Sequence, residues 1–275
     1  MGLSIILISP YAVFRKVERM LAVNLTLGWR LFIYLVAGIA AGIANGVAGG
    51  GTFITFPTML ALGVPAVTAN VSSTVGVLPS YLGGLRGFRS QLKTQHELIR
   101  SLIPVCFVGT GIGCALLLLG SAGEFRLIVP WLIGCATVVF ALSPWITKRL
   151  ANIEHDHPAK KWALQIGIFA VAVYGGYFGA GLGIMLLAIM ALTLPDDIFT
   201  LQGLRSVLST IINLVAAVIF LVRGHLETSA VIMIFIGAFL GGWLGTLLIK
   251  RLDPNVVRAL IVAMGAATTI KLAIS

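Results

Sequence analysis

Charge is what this sequence has least of. Asp, Glu, Lys and Arg make up only 10% of its 275 residues, where soluble domains carry nearer a quarter. So few charged side chains cannot cover a water-facing surface, which excludes an ordinary soluble domain. Acids are scarcer still, nine against nineteen bases, and all nine lie in connections or near the ends of apolar runs, as do the four histidines. A proton or cation carrier usually keeps a carboxylate or imidazole at membrane depth, and an intramembrane protease needs two buried aspartates or a serine–histidine pair. Neither set is available, so the chain reads as no enzyme. Cys106, Cys114 and Cys135 sit inside apolar runs without C-x-x-C spacing and read as small buried side chains. His155-Asp156-His157 lies in a charged loop ending at Pro158 and reads as a solvated turn, so no metal or other cofactor is expected. The bases give a net charge of +10, but they are scattered and form no Lys/Arg block with interleaved aromatics. Nucleic acid is therefore not an expected partner.

Apolar residues are what is plentiful: 59% of the chain is hydrophobic and the mean hydropathy is +1.05. Lipid tolerates such a chain if every backbone group is bonded internally, in helices or a closed barrel. Barrel strands would show as alternating segments of about ten residues; here the runs are long and continuous, so helices are expected. Spans of about 20 apolar residues mark crossings. Eight are read: Leu31–Gly63, Ala66–Tyr81, Leu102–Leu119, Leu127–Ile146, Ala163–Leu194, Thr200–Val222, Ser229–Ile249 and Val256–Ile274. Residues 1–30 read as a cytoplasmic interfacial segment, because Arg15, Lys16 and Arg19 follow the apolar stretch Met1–Val13 instead of preceding it as in a signal peptide.

Orientation follows from counting bases. With each run taken as one crossing and the N-terminus inside, the inner segments hold Arg15, Lys16, Arg19, Arg30, Arg86, Arg89, Lys93, Arg100, Lys148, Arg149, Lys160, Lys161, Arg223 and Lys271. The outer ones hold Arg126, Lys250, Arg251 and Arg258, fourteen against four. Both termini are thus expected in the cytoplasm, with the chain in a cell's inner (plasma) membrane.

The first and fifth runs are too long for one straight helix, and each contains a glycine cluster. Gly46-Val-Ala-Gly49-Gly50-Gly51 is echoed by Gly176-Tyr-Phe-Gly179-Ala180-Gly181, and each continues apolar to Pro65 or Pro195. The expected fold is therefore an all-α integral membrane protein with about eight transmembrane helices in two pseudo-symmetric repeats, the first and fifth helices broken at the glycine clusters. The repeats would occupy residues 31–147 and 163–275, joined by a cytoplasmic linker, 148–162. Broken helices at matching places in two repeats point to a transporter binding site. An unwound turn exposes amides at the start of the next half-helix, around Gly51–Phe53 and Gly181–Gly183, where the dipole's positive end suits an anion. Close packing is the other reading: Gly42-x-x-x-Gly46 and Gly175-x-x-x-Gly179 fit small-xxx-small contacts alone.

At these residues the chain resembles a known family. Gly46-x-x-Gly49-Gly50-Gly51, Pro57, Leu62-Gly63-Val64-Pro65 and Thr68-Ala69-Asn70-Val71-Ser72-Ser73 look like the first signature of the TauE/SafE sulfite exporters, also called toluene-sulfonate uptake permeases. Gly176-Tyr-Phe-Gly179-Ala-Gly181-Leu-Gly183 through Gln202-Gly203-Leu204-Arg205-Ser206 is similar to the second, with Leu187 standing where the first repeat has Pro57. The resemblance, over about Leu31 to Ile274, implies a permease for sulfur-containing or small organic anions such as sulfite, sulfonates or sulfoacetate-like compounds.

Intramembrane polar residues complete the expectation. Arg205 is the one charge inside a run; its planar fork suits sulfonate or carboxylate oxygens, although snorkelling or pairing with Asp196 or Asp197 would also explain it. Asn45, Thr52, Asn70, Ser72, Ser73, Gln202 and Ser206 offer donors, with Ser209 and Asn213 on the same helix face as Gln202 and Ser206. The candidate substrate site is thus Asn45, Gly49, Gly50, Gly51, Thr52, Asn70, Ser72, Ser73, Gly179, Gly181, Gln202, Arg205 and Ser206. Expected partners are a small anion and membrane lipid, with a homodimer left open. A non-transporting assembly factor or partner-binding scaffold is the alternative, and would use the glycines for packing only.

Overall fold

A computed structural model describes residues 10–47, 49–87, 95–142, 161–248 and 254–274, with isolated positions between them. The linker read at 148–162, the His155–His157 turn and residues 1–9 fall almost entirely outside the described residues. Among these there are ten helices and no strand: α1 (Pro10–Val47), α2 (Thr52–Ala61), α3 (Ala66–Gly87), α4 (His96–Leu119), α5 (Ala122–Ala141), α6 (Lys161–Tyr177), α7 (Leu182–Thr193), α8 (Ile198–Arg223), α9 (Thr228–Leu248) and α10 (Pro254–Ile274). Eight runs become ten helices because the first and fifth each split in two at the glycine clusters. Among the described residues five stretches are long and apolar enough to cross a membrane: Thr26–Gly46, His96–Leu119, Ala122–Ala141, Phe199–Arg223 and Thr228–Gly245. Outward-facing side chains such as Leu119, Leu127, Trp131, Phe239 and Trp243 are exposed and apolar, as a lipid-facing surface requires.

The split helices do not continue in line. An Arg30 Nη2 donates to the Leu62 carbonyl oxygen at 3.2 Å, while the Gly51 amide donates to Asn45 Oδ1 at 2.7 Å. Positions 30 and 62 are thus neighbours, as are 45 and 51, so α2 runs back along α1. In a straight broken helix, Arg30 and Leu62 would stand roughly 48 Å apart at 1.5 Å per residue. The same geometry recurs later: a Cβ on Gly175 would lie 3.0 Å from Leu182, and one on Gly167 would lie 2.6 Å from Ile189. α6 and α7 form a second antiparallel hairpin. The single crossing preferred from the charge count is therefore replaced by a re-entrant turn in both places. Local charge could not reveal this, because the turning residues are glycines whose direction is set by what packs on them.

The two hairpins open toward opposite faces. α1 begins its apolar run, and α2 ends, at what is here called the terminal face. α3 carries the chain to the far face and α4 brings it back; Gln95, at the start of α4, bonds Asp196, just after the second hairpin, at 2.9 Å. The second hairpin therefore opens at the far face. Helix directions agree. Gly38 abuts Ile234 and Gly42 abuts Ala238 and Gly242, so α1 and α9 are parallel. Gly109 abuts Ala172 and Gly113 abuts Val173 and Tyr177, so α4 and α6 are parallel too. α5 and α10 are antiparallel, with Gly134 against Thr269 and Gly265 against Thr137. The close α1–α9 contact exists because no Cβ intervenes: one on Gly42 would sit 2.6 Å from the Ala238 carbonyl oxygen.

Helix ends are capped where they meet polar surroundings. Ser121 and Glu124 form a reciprocal capping box on α5, with amide bonds of 3.1 and 2.9 Å. Asp197 caps α8, accepting from the Thr200 hydroxyl at 2.6 Å and from the Phe199 amide at 2.8 Å; these bonds, those of Thr200 foremost, hold its carboxyl below the usual range. The core has two parts. One packs α4, α6, α7 and α8 around Leu186, Leu204 and Ile212. The other gathers Phe53, Phe56, Phe125, Phe140 and Phe178 beneath the first hairpin.

Candidate functional site

The two glycine breaks meet in the middle of the fold. Gly49, Gly179 and Gly181 have φ of +79°, +77° and +74°, a left-handed backbone that costs other L-residues about 1–2 kcal/mol. This is what reverses the chain between α1 and α2 and between α6 and α7. A Cβ added to Gly49 would lie 3.6 Å from Arg205 Nη1 and 3.8 Å from the Gly183 Cα, and one on Gly183 would lie 3.5 Å from Arg205 Cδ. Arg205, from α8, thus lies across both hairpin tips, and the absence of side chains at Gly49 and Gly183 leaves room for its guanidinium.

Tyr81, from α3, faces Arg205 electrostatically and sits within reach of the Asn45 and Asn213 side chains. Arg205 and Tyr81 are each half-buried by accessible surface, so neither side chain is sealed in the packed core. Among the described residues no carboxylate is within ion-pairing distance of Arg205. Asp197 is occupied with capping α8 and Asp196 with Gln95, so pairing with these acids does not account for the arginine.

The remaining expected residues divide by what they touch. Asn45 has both ends in use, accepting from Gly51 and donating to Ser80 Oγ at 2.8 Å; it clamps the first hairpin shut. Thr52 is buried in the first turn of α2, and Gly50 packs against Phe140 and Ile261. Ser73 bonds Thr55 across α2 and α3. Ser72 lies apart from the tips, near the terminal face, where its Oγ accepts from the Glu227 amide at 2.9 Å. Ser206 bonds the Gln202 carbonyl of its own helix at 3.0 Å, the self-satisfied geometry that serine adopts inside helices. Asn70 reaches the second hairpin: its Nδ2 donates to the Tyr177 carbonyl at 2.9 Å, and its buried Oδ1 has no protein partner. Gly181 lies against Phe53 and Ala136. Tyr81 was not among the expected residues. It closes the second apolar run, and nothing in its spacing announces that it faces an arginine 124 positions later.

The amide reading is altered in one respect. The first-hairpin amide of Gly51 is already bonded to Asn45, and those of Phe53, Ile54 and Thr55 bond Gly50 and Gly51 carbonyls. The principal positive group at the tips is the Arg205 guanidinium, not a row of free amides.

Comparison with known proteins places this geometry in context. A sequence model described as "Sulfite exporter TauE/SafE" matches residues 34–272. The chain is 23% identical over 251 residues to a protein of Escherichia coli strain K12 named "Probable membrane transporter protein YfcA", covering 90% of each chain. It is 24% identical over 246 residues to a "Probable membrane transporter protein" of Haemophilus influenzae, covering 88% of this chain and 94% of that one. A Sinorhizobium protein named "Probable membrane transporter protein ORF9" is 22% identical over 247 residues.

Proposed function

This chain belongs to the sulfite exporter TauE/SafE family, and on that premise we propose that it is a multi-pass membrane transporter that binds a small anion between two inverted repeats, residues 31–147 and 163–275, at the meeting of its hairpin tips. The carrying observation is Arg205, a deep guanidinium with no carboxylate partner among the described residues, held against Gly49 and Gly183. An unpaired cation at membrane depth is costly and calls for an anion to offset it. The guanidinium presents a planar donor fork that matches two oxygens of a sulfonate, sulfite or carboxylate. Tyr81 adds a neutral hydroxyl, and the backbone at Gly49 and Gly183 lets the ligand approach closely. Two hairpins entering from opposite faces give each face its own mobile element around one central site, the arrangement that alternating access uses.

The test is flux in liposomes carrying the purified chain, assayed with labelled sulfite, sulfonates and small carboxylates. Uptake of at least one is expected, with Arg205→Ala weakening binding roughly ten- to hundredfold if the lost charged hydrogen bonds contribute about 1.5–3 kcal/mol, and Arg205→Lys recovering part of it. Folded protein that moves none of them, or Arg205→Ala transporting as the wild type does, would leave the scaffold reading standing.

A further inference from the structure

A second feature near the terminal face has no role in the site just described. A cavity of about 1440 Å³ lies between the end of α2, the start of α3, the α4–α5 and α8–α9 turns and the end of α10. That exceeds the roughly 300–1,000 Å³ of an ordinary ligand pocket. Its wall is mostly apolar, but Arg126, Arg223 and His225 line it and no carboxylate does. The acids nearest in the chain are engaged elsewhere: Glu124 caps α5 through Ser121, and Glu227 accepts from the Ser229 hydroxyl at 2.7 Å.

The inner end of the cavity leads toward the hairpin tips through aromatic rings. Pro57 lines it and Phe56 is the next residue inward on α2, whereas Phe125, between the lining residues Gly123 and Arg126 on α5, stands at the depth of the cavity itself. Both are buried, as is Phe178, which occupies the break between α6 and α7. Phe56 meets Phe178 edge-on at 5.4 Å between centroids, and Phe125 meets it at 6.4 Å. The residues immediately after Phe178 are the positive-φ turn, Gly179–Gly181, that packs on the first hairpin. In order from the face inward stand the basic-rimmed cavity with Phe125 beside its wall, the Phe56–Phe178 pair, the second glycine break and Arg205.

We propose that this cavity is the anion-collecting vestibule of the transport path on the terminal face, and that the Phe56–Phe178 pair is its gate, closed in this structure. The proposal rests on the anion-permease reading of Arg205. Two arginines around a low-dielectric wall focus a positive potential that concentrates anions and repels cations. The ring contact is worth about a kcal/mol, a seal that a moving hairpin can break. Phe178 belongs to the hairpin itself, so a change at the Gly179–Gly181 turn moves the gate and the binding site together.

The experiment uses the full chain in liposomes with Cys135 replaced by serine, the other two cysteines being buried. Leu60→Cys reports on the cavity and Ala180→Cys on the space behind the rings, each probed with a sulfonate-bearing and a trimethylammonium-bearing methanethiosulfonate. At low ionic strength the anionic reagent is expected to label Leu60→Cys about tenfold faster than the cationic one. The ratio should approach one at 1 M salt, where screening is complete within a few ångströms, and in the double variant Arg126→Gln, Arg223→Gln. Ala180→Cys should label slowly, and about tenfold faster once Phe178→Ala opens the gate; Phe56→Leu, a milder change, should accelerate it in the same direction. Equal rates for the two reagents at Leu60→Cys overturn the vestibule. So does labelling that appears only in detergent, which would make the cavity a lipid pocket. An unchanged Ala180→Cys rate in both ring variants overturns the gate. Labelling needs no flux, so failure of the Arg205 reading would show in transport alone and leave these rates as stated.

Discussion

Arg205 and Asn45 were both expected to hold the substrate, and the structure gives them opposite physical roles. Asn45 has its hydrogen-bonding capacity spent on Gly51 and Ser80, so its truncation strands the buried Gly51 amide, while the Ser80 hydroxyl keeps its bond to the Val77 carbonyl. Asn45→Ala should lower stability by about 1–3 kcal/mol for the amide left unpaired, seen as a lower thermal midpoint in detergent with or without anion. Arg205 has no counter-charge among the described residues, so its burial opposes folding. Arg205→Gln should leave the anion-free midpoint unchanged or raise it, while abolishing the upward shift that a bound anion produces by mass action. A large loss of stability in Arg205→Gln without anion would mean that the arginine is structural. That Arg205 is the unusual charge was legible from the sequence, because a lone arginine in an apolar run is rare. That Tyr81 faces it, and that Ser72 lies elsewhere beside Glu227, was not: both depend on how α3 is rotated against α8 and α9.

At the scale of the element, each glycine cluster carried two readings, packing and unwinding, and the structure distributes them position by position. Gly42 is a packing glycine, since a Cβ there would meet the Ala238 and Gly242 backbones at 2.6 Å. Four residues later Gly46 has nothing within 4 Å of such a Cβ. Gly49, Gly179 and Gly181 are the turning glycines, through positive φ. Gly42→Ala should therefore push α1 from α9 and cost about 1–3 kcal/mol, the usual range for overpacking. Gly111→Ala, in the open on α4, should instead be neutral or stabilising by up to about 1 kcal/mol, as helical Gly→Ala changes are. Thermal midpoints of the two variants side by side check the pair; equal losses would show that α1 and α9 are not held by close approach. The spacing of small residues marks where helices can approach or bend. Which of the two happens is set by the partner helix, and α9 lies about 190 positions away in the chain.

For the molecule as a whole, the hairpins change the orientation argument. Fourteen bases against four assumed eight single crossings. With α1–α2 and α6–α7 each returning to the face they entered, that assumption fails: Arg86, Arg100, Lys161 and Arg258, near described helix ends, fall on the far face, and Arg30, Arg126 and Arg223 on the terminal face. The fourteen-to-four division therefore no longer follows. The ends of α2 and α10 share the terminal face, so a reporter fused after Ser275 and an impermeant reagent tried on Leu60→Cys in intact cells are expected to report the same side. Opposite sides in the two assays would show that α2 does not return along α1.

Composition and periodicity alone determined that this chain is a helical membrane protein. Lipid admits no unbonded backbone, and the apolar runs have helical length. The paired glycine clusters and the one intramembrane arginine also marked, from sequence, where such a protein would be interrupted. Tertiary structure alone decided the direction in which each interrupted helix proceeds, and with it which face each base adjoins and which side chains surround Arg205. A left-handed glycine turn is compatible with many chain directions. Only contacts between elements far apart in sequence, Arg30 on Leu62 and Gly49 on Gly183, select one.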